Sequence, residues 1–443
     1  MKKALFSLAM TTTLGALTAC GGGGDDAAKP VSPSSLSQQT VSDTGATLIP
    51  ANTASDQSFG ATKVFEVVAS VGDTWRIALN PDDRTFQVTT IGTSRETVNA
   101  LVGSRLQIVE DGDFTHYYGD SSGNASSTFK LTLDKRTQTV VGWVSQAAQA
   151  GGTSRVASRV SGTAYQIANP AKLAGDYTYL LNATYTDSNG VITIKAQPGH
   201  MRLKWNGTAL TGLTCPNSHI STDEQLCVDD AGARVQSGPV TPQILTFGQN
   251  SQTGRIYLAT FDGQNRGDIF YQNNIHVQMG DRGVVLAMDY DFQNQLGARY
   301  LGAIHAAKQV TLSKADVVTT MQCTTGYSGS TAHTLQLKSD NSYSYSWSDH
   351  GLQTEDGTFE LNQVSDSFNT NTAIKGAVVL TDRAGNASPK TLVPLSSSLW
   401  VMRDDYGTSK LTYCAPRNPD LVTWSGSGNS GSTPLGPLPV VPQ

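Results

Sequence analysis

Apolar and polar residues alternate along most of the chain, and short clusters of Asn, Asp, Gly and Pro interrupt the alternation. A period of two puts successive side chains on opposite faces of a strand, so this pattern predicts antiparallel hairpins with one buried face. The clearest segments are TWRIALNPDDRTFQVTTI (74–91), TFKLTLDKRTQTVVGWV (128–144), VITIKAQPGHMRLKW (191–205) and TLQLKSDNSYSYSW (334–347). Each of the four is expected to turn at its central polar cluster.

The same alternation predicts which side chains are buried. In the second segment it places five residues on the core face: Phe129, Leu131, Leu133, Val141 and Trp143. In the fourth segment it predicts a core role for Tyr343, Tyr345 and Trp347, rather than an exposed row of aromatics that binds sugar. Helical signal is weak, and the best case is TSRETVNALVG (93–103), where a Thr and a Glu match a capping box.

The fold class expected from this pattern is all-β, with three small antiparallel β-sandwich or barrel-like domains after a flexible N-terminal tether. The segments ANPAKLAGDY (168–177) and KQVTLSKADV (308–317) mark the boundaries between domains. The predicted division is a signal peptide (1–19), a Gly/Ser/Pro tether (20–58), three β-rich domains (59–167, 168–310 and 311–416) and a disordered tail (417–443). Each domain contains a hairpin rich in Trp or Tyr, which leaves open whether the three are diverged copies.

The first twenty residues carry an export pattern. After the basic start MKK comes ALFSLAMTTTLGAL, an uncharged run of 14 residues that is too short to cross a bilayer. The following LTAC (17–20) resembles the lipobox of bacterial lipoproteins. The resemblance implies cleavage before Cys20 by signal peptidase II and acylation of Cys20, and Gly21 in place of aspartate implies the outer membrane. The alternative is an ordinary signal peptide cut after Ala19, with Cys20 left as a thiol.

Composition argues against one class of partner. The chain of 443 residues has 31 Lys and Arg against 36 Asp and Glu, a formal net charge of −5. Removal of residues 1–19 takes away two lysines and no acidic residue, which gives −7. Binding of nucleic acid needs a basic patch, and the chain has no run of Lys or Arg, so nucleic acid is not an expected partner.

Four cysteines follow Cys20, and an even number in an exported chain predicts disulfides. Three pairings are possible. The favoured one joins Cys215 to Cys227 and Cys323 to Cys414, the second bond linking the first and last strands of the C-terminal domain. A metal site is disfavoured because neither C-x-x-C spacing nor a histidine pair accompanies these residues.

No other motif predicts a catalytic residue, a metal ligand or a cofactor. GDSSG (119–123) matches G-x-S-x-G, but an alternating strand rather than a helix follows Ser121, so a turn is favoured over a nucleophile. VEDGDFTHYYGD (109–120) gathers carboxylates that suit Ca²⁺, without the spacing of an EF-hand. Asp289 and Asp291 share a face, which we expect to be solvated rather than a proton-sharing or cation-binding pair.

These features favour a lipid-anchored envelope protein with a binding or structural role. It would associate with the membrane through Cys20 and contact a protein or a polysaccharide through the loops of its β-domains. Two alternatives stay open. One is an extracytoplasmic hydrolase of glycan or ester, and the other is a carrier that holds a small apolar ligand inside a β-barrel.

Overall fold

Nearly all described elements are β-strands, which confirms the predicted all-β class. The computed structural model describes residues 33–51, 60–70, 72–92, 101–103, 105–120, 128–147, 155–167, 169–186, 192–216, 234–235, 238–239, 243–249, 255–262, 269–270, 274–293, 299–325, 333–348, 352–365, 371–385, 387–404 and 410–417. Helix α1 (Pro33–Thr44) and strand β1 (Thr47–Leu48) precede the large sheets.

The first sheet curls around its own core as an open barrel. Its nine strands are β2 (Lys63–Ala69), β3 (Thr74–Asn80), β4 (Thr85–Gly92), β5 (Leu101–Gly103), β6 (Arg105–Asp111), β7 (Phe114–Asp120), β8 (Thr128–Asp134), β9 (Thr139–Ala147) and β10 (Arg155–Thr163). Apart from β5 and β6, strands that are neighbours in sequence pair antiparallel, and β10 also pairs with β2. Strands β5 and β6 are the two edges, and the Leu106 N–H donates to the Arg84 carbonyl at 2.9 Å across the opening.

The second barrel follows strand β11 (Tyr165–Gln166) and the 3₁₀ helix η1 (Pro170–Leu173). Its segment contains β12 (Gly175–Thr186), β13 (Ile192–Trp205), β14 (Leu210–Pro216), β15 (Arg234–Val235), β16 (Gly238–Pro239), β17 (Gln243–Gln249), β18 (Ile256–Asp262), β19 (Ile269–Phe270), β20 (Asn274–Gly280), β21 (Gly283–Gln293) and β22 (Arg299–Lys308). Strand β22 pairs with both β12 and β21, and these pairings close the sheet. Strands β15 and β16 form a separate two-stranded ribbon.

The third barrel is closed by the pairing of its first and last strands. It follows helix α2 (Lys314–Val317) and consists of β23 (Thr320–Thr325), β24 (His333–Leu337), β25 (Ser342–Ser348), β26 (Leu352–Ser365), β27 (Asn371–Asp382), β28 (Lys390–Ser396), β29 (Leu399–Asp404) and β30 (Lys410–Ala415). A disulfide with an S–S distance of 2.04 Å joins Cys323 on β23 to Cys414 on β30. This is one of the two expected bonds, and it lies where the barrel closes.

Three of the four predicted hairpins are present, with turns at residues 81–84, 135–138 and 338–341. The prediction for residues 191–205 is wrong, because β13 runs through QPGH without a turn. Its neighbour β12 pairs with residues Ile192 to Leu203 of β13, and Pro198 lies one residue beyond the part that pairs with β14. A proline at that position removes no ladder bond to β14. Leu101–Gly103, predicted as helix, form β5, and residues 93–100 lie outside the described residues.

Each sheet encloses a core of inward-facing side chains, as the alternation predicts. For β9, the strand that follows the turn at residues 135–138, the predicted core face is the wrong one. Leu133 pairs with Val140, so Val140 and not Val141 points into the core of the first sheet. Val141 and Trp143 point outward, yet both are buried. Val141 packs among residues of the second and third barrels.

The predicted tether is also shorter than expected, because residues 33–51 are folded. The Thr40 hydroxyl donates to the Gly280 carbonyl at 2.9 Å, and Val41 packs against the core of the second barrel. Helix α1 therefore covers one end of that barrel, and β1 pairs with β11. This helix has little local signal in the sequence, because its stabilisation comes from contacts with a distant β-hairpin rather than from an apolar stripe of its own.

The outer faces of the three sheets share a further core. Val141 from the first sheet, Leu180 and Val285 from the second barrel, and Leu399 and Val401 from the third barrel belong to one buried cluster. The described residues from Pro33 to Arg417 accordingly belong to one compact unit. The three sheets are successive in sequence, but they are packed against one another on surfaces that a solitary barrel would expose to water.

Candidate functional site

A narrow cleft with a volume of about 20 Å³ lies between the outer faces of the first sheet and the third barrel. Strands β9 and β10 form one wall, and β23, β29 and β30 form the other. The residues with chemistry that line it are Arg159, Gln322, Thr324, Tyr413 and Arg417, with Val141 and Ala415 among its apolar surfaces. A volume of this size holds about one water molecule, whereas ligand pockets have roughly 300–1,000 Å³, so the cleft is a seam between two packed sheets.

Strand alternation decides which side chains reach the cleft. Val160 points into the core of the first sheet, so its neighbours Arg159 and Ser161 point outward. On β30 the core residue is Cys414, and its neighbours Tyr413 and Ala415 point outward. Arg159 is only 3% exposed. A guanidinium group is thus held at the wall of the cleft, largely removed from bulk water.

Arg417 enters the cleft from just beyond the end of β30, and it is tied to the first sheet. Its Nε lies 3.1 Å from Asp111 Oδ2, and its guanidinium lies 5.9 Å from the ring centroid of Phe114. Both Arg417 and Asp111 are about half exposed, with side-chain exposures of 50% and 46%. An ion pair this exposed is weak, so the Arg417 head group can exchange partners.

His116 completes this group and is fully buried. Its Nδ1 lies 2.8 Å from Thr132 Oγ1, and its Nε2 lies 3.5 Å from Asp111 Oδ2. Burial lowers the pKa of His116, against the opposing effect of Asp111, so the ring is neutral near pH 7. For Asp111, hydrogen bonds from His116 and Arg417 outweigh the desolvation that would raise its pKa, and the pKa is lowered. The carboxylate therefore stays charged at neutral pH.

A row of alternating aromatic and basic residues crosses the first sheet and ends at the cleft. The strand register places Tyr118 opposite Lys130, Lys130 opposite Trp143, and Trp143 opposite Arg159. All four side chains are on the outer face. Tyr118 and Lys130 are half-buried, and Trp143 is 4% exposed. Basic and aromatic side chains are thus concentrated on this part of an otherwise acidic protein.

One residue from each sheet meets at a buried junction beside the cleft. Ser161 Oγ and His305 Nε2 are 2.8 Å apart, and the rings of His305 and Tyr413 pack edge to face with centroids 5.1 Å apart. Burial lowers the pKa of His305 to about 3, so this ring is neutral in the folded protein. Because Tyr413 lines the cleft and Ser161 is two residues from Arg159, the junction fixes the two walls relative to each other.

The prediction that Asp289 and Asp291 are solvated is wrong. They are 2% and 3% exposed, because the outer face of β21 is covered by the first sheet. The Thr74 hydroxyl donates to Asp289 Oδ2 at 2.8 Å across this interface. Their face of β21 is polar in sequence, but its partner is another sheet rather than water.

Two of the three aromatic residues of β25 have the predicted core role, because Tyr343 and Tyr345 are 1% and 2% exposed inside the third barrel. Trp347 packs against the same core but is only partly buried. The Tyr343 hydroxyl donates to Glu355 Oε1 at 2.5 Å, and Lys390 Nζ lies 2.7 Å from Glu355 Oε2. The interior thus contains a satisfied polar group that the sequence did not reveal, because its three members are on separate strands.

Several predicted residues lie outside the described residues. These are Cys20, Ser121 and Cys227. Cys215 is on β14, and its pairing with Cys227 stays a prediction. Among the described residues, no group of three or more His, Cys, Asp and Glu is placed to hold a metal ion. In the same part of the chain, no helix is both long and apolar enough to cross a membrane.

Sequence reasoning missed the cleft residues. Arg159, Gln322, Tyr413 and Arg417 belong to no motif, and the two walls come from opposite ends of the folded chain. The one sequence feature near the cleft that stood out was VEDGDFTHYYGD, which contains Asp111 and His116. Its carboxylates suggested a calcium site, whereas in the structure Asp111 contacts an arginine. No protein-family model matches the chain, and no curated protein is detectably similar to it.

Proposed function

We propose that this protein is a lipid-anchored envelope protein that binds a protein or polysaccharide partner on the outer surface of its packed β-sheets. Cys20 would carry the acyl chains, and at least two chains are needed for stable membrane association. The folded body would then be held at the membrane from its N-terminal side. The absence of an aspartate after Cys20 favours the outer membrane.

The observation that carries a surface-binding role is the filling of the described barrel interiors by large side chains. Trp75 in the first sheet, Tyr177 in the second barrel and Trp400 in the third barrel are at most 1% exposed. Eight-stranded barrels have an interior that side chains can fill completely or that can hold one small ligand. The filled interiors favour binding outside the sheets over carriage of an apolar molecule within one.

The rim of the cleft between the first sheet and the third barrel is the proposed binding place, because Arg417 and Asp111 are about half exposed there. The two sheets are joined by the shared apolar core and by the Ser161–His305–Tyr413 junction, so a partner would meet a preformed surface. A preformed site avoids the entropy cost of ordering loops on binding.

The anchor is tested with the full chain and its Cys20→Ala variant. Metabolic labelling with palmitate should mark the natural chain and not the variant, and the natural chain should fractionate with membranes. An epitope placed after Gln443, with protease shaving of intact cells, separates surface display from a periplasmic location. Equal labelling of both chains would refute acylation at Cys20.

The binding role is tested at the rim of the cleft. Arg417→Glu reverses the charge there, whereas Arg383→Glu makes the same change at an exposed position in the turn after β27. Binding of the mature chain to purified envelope polysaccharide and to envelope proteins should fall for Arg417→Glu and not for Arg383→Glu. Thermal unfolding of both variants checks that the fold is intact. If no ligand distinguishes the two variants, the proposed binding place is wrong.

A further inference from the structure

We propose that the contact between the first sheet and the second barrel is acid-sensitive, and that His305 is the group whose protonation opens it. In mildly acidic solution the first sheet moves away from the second barrel, while the strands within each sheet stay paired. This device is independent of the proposed function. Three features of the described residues support it: the burial of His305 by other sheets, the charges that face this residue, and the small apolar contact of the first sheet.

His305 is buried only because other sheets pack over it. Ala306 points into the core of the second barrel, so its neighbour His305 on β22 points outward. Nevertheless the ring is 0% exposed, because it lies 2.8 Å from the hydroxyl of Ser161 on the first sheet and packs against the ring of Tyr413 on the third barrel. Its Nδ1 has no hydrogen-bond partner among the described residues. A protonated ring donates from both nitrogens, so in the closed contact it would be a buried charge with one N–H left unsatisfied.

The charges around His305 do not compensate for this burial. By strand register, the ionisable side chains nearest to it on the packed outer faces are Arg159 on β10, Asp289 on β21 and Tyr413 on β30. Arg159 disfavours a second positive charge, and the Asp289 carboxylate accepts a hydrogen bond from Thr74 at 2.8 Å. Burial dominates and lowers the pKa of His305 to about 3. The closed contact therefore contains a neutral ring.

The first sheet has the smallest share of the apolar contacts between the three sheets. Among the described residues it contributes Val68 and Val141 to the buried apolar clusters that it shares with the barrels. Val68 packs against two small side chains of the second barrel, Ala287 and Ala303. The second and third barrels supply all the other members of the larger cluster. Because relative motion is expected where an interface is not large and hydrophobic, the first sheet is the part that separates.

Once the first sheet has moved away, His305 is exposed and its pKa returns towards 6.5. The open state then binds a proton that the closed state does not, so acidification between about pH 7 and pH 5 should raise the opening equilibrium constant about 25-fold. Glu66 and His276 also meet across this contact, but the pKa of Glu66 is far below 4.5, so its carboxylate stays charged over this range. His116, on the first sheet, has a pKa lowered by burial and acts in the same direction as His305.

A thiol placed in the contact measures its opening. Ala303→Cys puts the thiol at a position that is 0% exposed beside Val68, and Ala373→Cys puts one at an exposed position of β27. Both are made in the mature chain with Cys20→Ala and are labelled with a dithiopyridine reagent. The labelling rate of the first variant, divided by that of the second, removes the intrinsic pH dependence of the thiol. This ratio should rise about 25-fold between about pH 7 and pH 5, with an unchanged circular dichroism spectrum.

His305→Gln should reduce the rise to less than about threefold, because the side chain then has no proton to gain. His333→Gln is the matched control and should leave the rise in place. Burial also lowers the pKa of His333, to about 4, but His333 packs against Tyr345 of the third barrel rather than against the first sheet. If Ala303→Cys itself lowers the melting temperature, Ala287→Cys places the thiol at the same contact from β21.

A rise that His305→Gln removes and His333→Gln keeps supports the proposal. An equal rise with and without His305→Gln overturns it, because another group then controls the contact. A rise that both substitutions remove, or one accompanied by loss of the β-sheet spectrum, also overturns it, since general unfolding then accounts for the labelling. Absence of a rise overturns it as well. None of these results bears on the proposed binding place, which the Arg417→Glu comparison tests separately.

Discussion

Glu66 joins the first sheet to the second barrel, and its removal should destabilise the whole unit. The side chain is 8% exposed and accepts from Arg255 Nη2 at 2.7 Å and from Arg76 Nη1 at 3.3 Å. His276 Nδ1 lies 3.2 Å from its second oxygen. Arg76 is on the first sheet, whereas Arg255 and His276 belong to the second barrel. The carboxylate is therefore shared across the interface between them.

Glu66→Gln keeps the size of the side chain and removes its charge. Both arginines then lose this carboxylate, and because Arg76 and Glu66 are only 7% and 8% exposed, the loss should cost about 3–5 kcal/mol. Urea denaturation of the mature chain, followed by tryptophan fluorescence and by circular dichroism, measures the loss. The two probes also show whether the first sheet separates from the remainder before global unfolding.

Glu110→Gln is the matched control. Glu110 lies 3.0 Å from Lys135, but the two side chains are 62% and 41% exposed, so the same substitution should cost at most about 1 kcal/mol. A Glu66→Gln variant no less stable than Glu110→Gln would refute the reasoning. The pH dependence gives a second test. Desolvation by burial would raise the pKa of Glu66. The hydrogen bonds and charges of His276 and Arg255 outweigh this effect and hold the pKa far below 4.5. Its stabilisation is thus complete above about pH 4.5 and is lost progressively at lower pH.

Three further predictions concern the rest of the fold. Replacing Cys323 and Cys414 together by alanine should lower the free energy of unfolding by about 4.6 kcal/mol, because the disulfide spans a sequence separation of 91; a loss under about 1 kcal/mol in urea denaturation would contradict this. Burial lowers the pKa of His305 to about 3 and of His333 to about 4 from 6.5, so the unfolded chain binds more protons and stability should fall as the pH drops from about 6.5 towards 4. His305→Gln should flatten that fall in a series of melting temperatures, and an unchanged slope would argue against it. Gly72→Ala should lower the free energy of unfolding more than Gly385→Ala does in the same assay. Both glycines have positive φ, but only at Gly72 would a Cβ approach another sheet, where it would lie 3.1 Å from Gly302 N and 3.2 Å from Tyr290 O. Equal losses would show that the close approach contributes nothing.

Local pattern was enough to predict strands and most turns. The clusters NPDD, DKRTQ and SDNS turn as predicted because Asn, Asp and their neighbours favour turn conformations wherever two alternating runs flank them. QPGH contains equally good turn residues, yet it lies within β13. There the pairing with β12 along the full strand outweighs the local preference. In helix α1 the local preference for helix is weak, yet the segment is helical. It packs against the end of the second barrel, and this tertiary contact stabilises it.

The sequence by itself determined the all-β class and the face of most strands that points into its own sheet, because period-two alternation is encoded within a few neighbouring residues. What covers the opposite face was decided only by the tertiary structure. Val141, Asp289 and His305 all lie on outer faces, and each is buried by a sheet that is distant in the chain. The cleft depends on the same long-range packing, since Arg417 contacts Asp111 and lines the cleft with Arg159 only when the first sheet and the third barrel are brought together. Alternation predicts that a strand has two different faces, but only the packing of whole sheets decides whether the second face meets water, another core or a ligand.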